Sequence, residues 1–331
     1  MGFRRYILAA VALLALLALL APAAASAQGA PQVTLETAGT QSFEGGLVSL
    51  ARQRVTARAR VAGAAPGSTL TLTFVHRGAT VRTVRAVADA AGGAEATSFV
   101  TPALGGPLSL RARLAAPGGG AAGAGQSAAA SVRVLTPVSN VGNRGPSVRW
   151  LQRRLAAMRY AIRLTGVHDT HTSNAVIAYR KVLRRTRVGN ASRDVFYAAG
   201  ANLGAYAARF PGAGRHVEAD LTRQVLALVE PGGRVASVYH TSSGRPRFAT
   251  PLGAHRFWKK EPGLNSREML HTVYFTHDKT TKPTRPACGI HGYFAVPTLP
   301  YSHCCFRVPL ADALYIHRWV RIGERIHVYR S

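Results

Sequence analysis

The sequence predicts a multidomain protein: an N-terminal β-sandwich, a small helical unit and a C-terminal mainly-β domain. Three observations predict it. Short apolar/polar alternations recur over residues 31–137, separated by Gly- and Pro-rich breaks. Over residues 139–203 the apolar residues recur at helical spacing instead. From Arg215 onward the period of two returns. At 331 residues the chain is long for one domain and comfortable for two or three, and with 47% hydrophobic residues it can bury sizeable cores.

The chain opens with Arg4 and Arg5, an apolar run over 6–20, and Ala25-Ser26-Ala27 before Gln28. That is the order of a secretory signal with a small-residue cleavage site, so residues 1–27 are expected to be removed and the rest exported to the periplasm or cell wall. The alternative is an uncleaved anchor, because the apolar run is near the lower length limit for a span. No later segment is long and apolar enough to span. The 42 Lys+Arg against 14 Asp+Glu give a formal charge of +28. No nucleic-acid recognition motif accompanies that charge, and the arginines are spread along the chain, so nucleic acid is set aside. An anionic envelope is the partner class that fits.

In the first unit Val55, Ala57, Ala59 and Val61 alternate with Thr56, Arg58 and Arg60, the period of a half-buried strand. Similar runs at 33–36, 70–75, 81–87, 108–114 and 131–135 lie between breaks such as Ala64-Ala65-Pro66-Gly67. Short strands so spaced predict an immunoglobulin-like sandwich over 31–137, here without cysteines. It carries no catalytic constellation, and a spacer or wall-contacting role is the default.

The next unit, 139–203, starts with Gly142, Gly145 and Pro146, with proline near the first helical position. Val148, Leu151, Leu155 and Met158 form an apolar stripe. A second helix is expected over 172–183, capped by Thr172, with Val176, Tyr179 and Leu183 inward. The frame GNRGPSVRWLQRRLAAMRY followed by TGVHDTHTSNAVIAYRK resembles the small three-helix peptidoglycan-binding domain. His168 and Asp169 depart from its usual Phe-Gly, and Arg180 from the Gln that often follows the aromatic. The resemblance implies a glycan partner; the alternative is a helical spacer. Residues 204–214 read as a linker.

In the last unit, 215–331, His216 to Leu221 alternates, 224–229 follows, and Pro231-Gly232-Gly233 supplies a hairpin turn into 235–241. The chemistry-bearing stretch is GIHGYFAVPTLPYSHCCFRVP, 289–309. A Cys and a His brought together can act as nucleophile and base, and a neighbouring Arg favours the thiolate or holds a carboxylate. In a chain with 12 His, that proximity alone specifies little.

The residue order specifies more. It resembles the signature of the YkuD-type L,D-transpeptidases, an upstream His-Gly followed by Ser/Thr-His-Gly-Cys-x-Arg or Asn. Ser243-Gly244 and Thr250-Pro251-Leu252-Gly253 match that family's opening strands and turn. By this resemblance Cys305 is the nucleophile, His291 the general base, and Ser302 and His303 the polar residues before the family's glycine. Arg307, Gly292 and Tyr274 are the expected substrate contacts, and Cys304 stands in the glycine's place. The resemblance implies breakage of the bond before a D-amino acid in a peptidoglycan stem peptide and transfer of the acyl group to an amine, with no metal or organic cofactor. A carboxypeptidase, or a wall-binding domain that has lost activity, are the alternatives. Three cysteines in an exported chain suggest one disulfide and one free thiol. Pairing Cys288 with Cys304 leaves Cys305 free, as the resemblance requires; a vicinal Cys304–Cys305 bridge, or three free thiols, are the other arrangements. Asp278, Asp312 or a backbone carbonyl are the candidates to orient His291. The sequence leaves oligomeric state open.

Overall fold

The computed structural model describes residues 30–119, 126–277 and 287–331. The expected signal, 1–27, and Asp278 lie outside the described residues.

Nine strands come first: β1 (Gln32–Ala38), β2 (Gln41–Phe43), β3 (Gly46–Leu50), β4 (Val55–Ala62), β5 (Thr69–His76), β6 (Ala79–Val87), β7 (Ala94–Val100), β8 (Gly106–Ala115) and β9 (Ser127–Leu135). They make a three-stranded sheet ordered β1-β4-β7 and a six-stranded sheet ordered β2-β3-β9-β8-β5-β6. The alternation read from the sequence is what stacks them. Val55, Ala57, Ala59 and Val61 of β4 meet Leu70, Leu72 and Phe74 of β5 and Leu108, Leu110 and Ala112 of β8 in one buried cluster. Arg58 and Arg60 face outward, paired with Glu95.

Helices α1 (Pro146–Ala157), α2 (Thr170–Val182) and α3 (Arg193–Gly200) follow. The cap of α2 is Asp169, not Thr172: the Asp169 carboxylate accepts from the Thr172 N–H at 2.7 Å, and the helix begins at Thr170. His168 is a buried core residue with both ring nitrogens engaged, by the Ser139 hydroxyl at 2.7 Å and by the Ser173 hydroxyl and Gly189 carbonyl at 3.1 Å. Arg180 is paired with Asp194 at 3.1 Å. Buried Gln152 donates to the Val167 carbonyl and the Thr172 hydroxyl and accepts from the Gly166 N–H, closing the loop between α1 and α2.

The C-terminal part contains β10 (His216–Asp220), β11 (Val225–Val229), β12 (Val235–His240), β13 (Gly253–Arg256), β14 (Lys259–Leu264), β15 (Leu270–Tyr274), β16 (Gly289–Tyr293), β17 (Phe306–Pro309), α4 (Leu310–Trp319) and β18 (Arg325–Tyr329). One sheet is ordered β12-β11-β10-β18-β13 and the other β14-β15-β16-β17. Strand β10 is buried at all five positions, so its polar alternation does not mark a solvent face. Glu218 is held by His216, by the Tyr206 hydroxyl and by the N–H groups of Arg209 and Phe210. Residues 204–214 are therefore a packed connection and not a free tether.

The parts share a core. Val48, Leu50 and Leu135 of the six-stranded sheet and its exit pack with Trp150, Leu151, Val176, Tyr179 and Phe196 of the helices. The same cluster continues into Val225, Ala227, Val229 and Val238 of β11 and β12. Arg149 adds a two-pronged bond to Glu44, and His171 of α2 bonds Asp312 of α4 at 2.9 Å.

Candidate active site

The pairing of β16 with β17 is parallel, with Ile290 beside Phe306 and His291 beside Arg307. Parallel neighbours cannot be joined by a tight turn, so the chain must leave the sheet after Tyr293 and come back to its starting edge. Residues 294–305 make that return, and they deliver Cys305 to the level of Gly289. Side chains alternate between faces, so Ile290, Phe306 and Val308 enter the core while Gly289, His291, Cys305 and Arg307 share the opposite face. Across β15, Tyr274 pairs with Gly289, and Lys259 of β14 pairs with Tyr274. A row Lys259–Tyr274–Gly289–Cys305 results, with His291 on the diagonal from Cys305, a spacing of about 7 Å between such neighbours.

Glycine at 289 keeps that row open. A Cβ there would lie 2.8 Å from the Val273 carbonyl oxygen and 3.2 Å from the Tyr274 ring. The Gly289 N–H instead donates to Cys305 Sγ at 3.3 Å. Met269 and Tyr274 are buried against Cys305, with Trp258 beside them. Tyr274 donates its hydroxyl to Glu261 at 2.8 Å. Lys259, Glu261, Asn265, Arg267 and Tyr274 line a cavity of about 410 Å³, which Cys305 itself does not line.

Burial sets the protonation of the pair. It pushes the Cys305 thiol pKa up, partly countered by the Gly289 N–H and the charges of Arg267 and Arg307. It pulls His291 down to about 4, helped by Arg307 and opposed by the Gly292 carbonyl. The resting pair is thus neutral thiol and neutral imidazole. His291 Nδ1 lies 3.0 Å from the Gly292 carbonyl oxygen; a proton on Nδ1 makes that bond and leaves Nε2 as the basic nitrogen. That carbonyl orients the ring. Asp312, bonded to His171, does not serve this role. Among the described residues no hydrogen bond joins the Cys305 thiol to His291; its polar contacts are the Gly289 N–H and, at 3.7 Å, the Ala287 carbonyl.

Cys288 and Cys304 form a disulfide with Cα atoms 5.4 Å apart, and Cys305 is the free cysteine. Cys304 sits at φ +83°, the left-handed region in which a side chain is strained. Gly244 presses on it: a Cβ at Gly244 would come within 2.7 Å of the Cys304 Cα. The Ser302 hydroxyl donates to the Cys305 carbonyl, so Ser302 shapes the turn that carries Cys305. His303 is exposed, takes a 2.8 Å bond from Arg245 and lies against Phe248. Among the described residues no hydrogen bond joins it to Cys305 or His291. Gly292 lies one residue beyond His291 on β16, with its Cβ direction on the opposite face. It faces α4, where a Cβ would lie 2.7 Å from the Ala313 Cβ. The Arg307 guanidinium lies 4.2 Å over the Tyr293 ring on the site face.

Comparison with known proteins places this geometry in a class. Residues 214–328 match the L,D-transpeptidase catalytic domain model named YkuD. The crystal structure of the L,D-transpeptidase (residues 123–326) from Xylanimonas cellulosilytica is 29% identical, covering 59% of this chain and 98% of that one, with a TM-score of 0.51. The L,D-transpeptidase (Yku) from Stackebrandtia nassauensis is 21% identical over 59% of this chain and 97% of its own, with a TM-score of 0.34. No match was found among curated proteins.

Proposed function

We propose that the chain is a peptidoglycan L,D-transpeptidase working through a thioester on Cys305. The carrying observation is the face shared by the only free cysteine and a buried, neutral His291 on adjoining parallel strands. The Cys305 sulfur attacks the carbonyl that links the diamino acid of a tetrapeptide stem to its terminal D-alanine, and His291 Nε2 takes the thiol proton. The amide bond breaks, D-alanine leaves with that proton, and the acyl group stays on sulfur. An amine from a second stem then attacks the thioester, gives its proton to His291 and restores the thiol, forming a 3→3 cross-link. Water in place of the amine gives a carboxypeptidase.

The N–H groups of Cys304 and Cys305 donate to no acceptor among the described residues, which suits them to stabilise the oxyanion, each worth about 3 kcal/mol in such sites. Arg307 supplies positive charge for a stem carboxylate. Export fits the disulfide, which persists in oxidising compartments. The two N-terminal sheets are read as an immunoglobulin-like sandwich and α1–α3 as a peptidoglycan-binding unit.

The test is incubation with tetrapeptide muropeptides and mass spectrometry of the products. Wild type should release D-alanine and form cross-linked dimers, while Cys305→Ala and His291→Ala should not. The burial of Cys305 and the missing thiol–imidazole bond favour a second reading, a stem-docking domain without turnover. Muropeptide binding by wild type with no product would establish it.

A further inference from the structure

Residues 294–301 run from the base to the nucleophile turn, so their placement sets how His291 and Cys305 meet. They rest on the buried strip His240-Thr241-Ser242-Ser243. The Ser242 hydroxyl donates to the Leu299 carbonyl at 2.7 Å, and the N–H groups of Tyr301 and Ser302 donate to the Ser243 carbonyl at 2.9 and 3.0 Å. The Thr241 hydroxyl donates to the Arg307 carbonyl at 2.8 Å. This strip therefore touches both ends of the motif.

The strip is itself gripped from α2. Lys181, 1% exposed, donates to the Gln224 carbonyl at 2.9 Å, the Thr241 carbonyl at 2.8 Å and His240 Nδ1 at 2.7 Å. Burial, with the Arg187 charge nearby, lowers the Lys181 pKa well below the ordinary lysine value, but two carbonyls and an imidazole nitrogen around it match the three N–H donors of an ammonium and favour that form. An imidazole that accepts at Nδ1 carries its proton on Nε2, and His240 Nε2 donates to the Val296 carbonyl at 2.9 Å. Burial, with the Lys181 charge beside it, lowers His240 to about 3 and keeps the ring in this neutral form. Just beyond α2, Arg187 donates to the Thr298 carbonyl at 2.8 Å. From the helical unit, Arg187 thus reaches a carbonyl of the segment between His291 and Cys305 directly, and Lys181 reaches another only through His240.

We propose that Lys181 is a positioning residue for the reaction: acting through His240 on Val296, it fixes the 294–301 segment and with it the approach of His291 to Cys305. The helical unit is then a working part of the catalytic apparatus, besides any glycan it holds. This rests on the Cys305–His291 chemistry proposed above.

The test compares Lys181→Met, His240→Ala and His240→Gln with Val195→Ala, a core change in α3 away from the strip. Three quantities are read: kcat and KM on tetrapeptide stems, the pH profile of Cys305 alkylation by iodoacetamide, and Tm. Lys181→Met and His240→Ala should lower kcat on the order of 10²-fold, the cost of a misplacement near 1 Å, with a smaller change in KM. Both should shift the alkylation profile. His240→Gln, whose amide can accept from Lys181 and donate to Val296, should recover most of the rate. Val195→Ala should lower Tm and leave kcat unchanged. Folded Lys181→Met or His240→Ala protein with wild-type kcat and alkylation profile overturns the proposal, as does a loss of kcat that follows Tm across all four variants. Should Lys181→Met fail to fold, the Ala/Gln pair at His240 decides. If wild type turns over no stem peptide, the function proposed above fails, and the alkylation profiles still decide this inference.

Discussion

Cys304→Gly sets two opposed effects against each other, and their sizes follow from the structure. The Cys288–Cys304 bridge spans a sequence separation of 16, and closing a loop of that size destabilises the unfolded chain by about 3 kcal/mol. Cys304 also holds φ +83°, where glycine is favoured over other residues by about 1 kcal/mol after allowing for its freer unfolded backbone. Cys304→Ala loses the bridge and keeps the strain, so it should cost about 3 kcal/mol, and Cys304→Gly about 2 kcal/mol. At roughly 2–4 °C per kcal/mol for a domain of this size, the glycine variant should melt about 2–4 °C above the alanine variant. Both should melt below wild type, and reduced wild type should fall with Cys304→Ala. Thermal melts followed by circular dichroism, with and without reductant, make the measurement. Coincident melting of the two variants would show that the left-handed backbone stores no strain, and the reasoning about position 304 would be wrong.

Denatured, unreduced wild type should take up one equivalent of an alkylating reagent, mapped by mass spectrometry to Cys305; modification at Cys288 or Cys304 would contradict the bridge. The general base must be neutral to work, and His291 is lowered to about 4, so kcat/KM should hold as pH falls through 6.5 and drop only near 4. An acid limb at 6–7, measured on protein shown to refold fully from the acid range, would place the base elsewhere. Gly244→Ala should push on the Cys304 backbone and cut turnover by about tenfold or more, while Gly212→Ala, where nothing lies within 4 Å, should leave it unchanged. Gly289→Ala should close the gap between Tyr274 and Cys305 and destabilise the domain by about 1–3 kcal/mol, read by urea unfolding.

Local patterns were legible where one element decides them. The alternation at Val55–Val61 and the stripe from Val148 to Met158 each state which side chains face inward, and both sets are buried. What the sequence hides is partnership between distant residues. His216 and Glu218 read as one polar side of a strand, yet each is 0% exposed, because residues 206–210 fold back to satisfy the carboxylate. Thr172 has the chemistry of a cap, but Asp169 three residues earlier takes its N–H. At the site, the order Ser302-His303-Cys304-Cys305 singles out a sulfur but not which neighbours face it. His303 stands two residues before Cys305 and bonds Arg245, whereas Tyr274 lies 31 positions upstream of Cys305 and packs against it. Lys181 carries no sequence signal of burial, since a lysine near a helix end ordinarily reaches water.

The apolar cluster that runs from Leu50 through Trp150 and Tyr179 to Val229 means that these modules cannot be exchanged like beads on a string. A version of the protein cut at Arg215 would carry a raw hydrophobic scar over Val225, Ala227, Val229 and Val238 and would tend to aggregate. Any relative that dispenses with the helices must first repaint that wall with polar side chains.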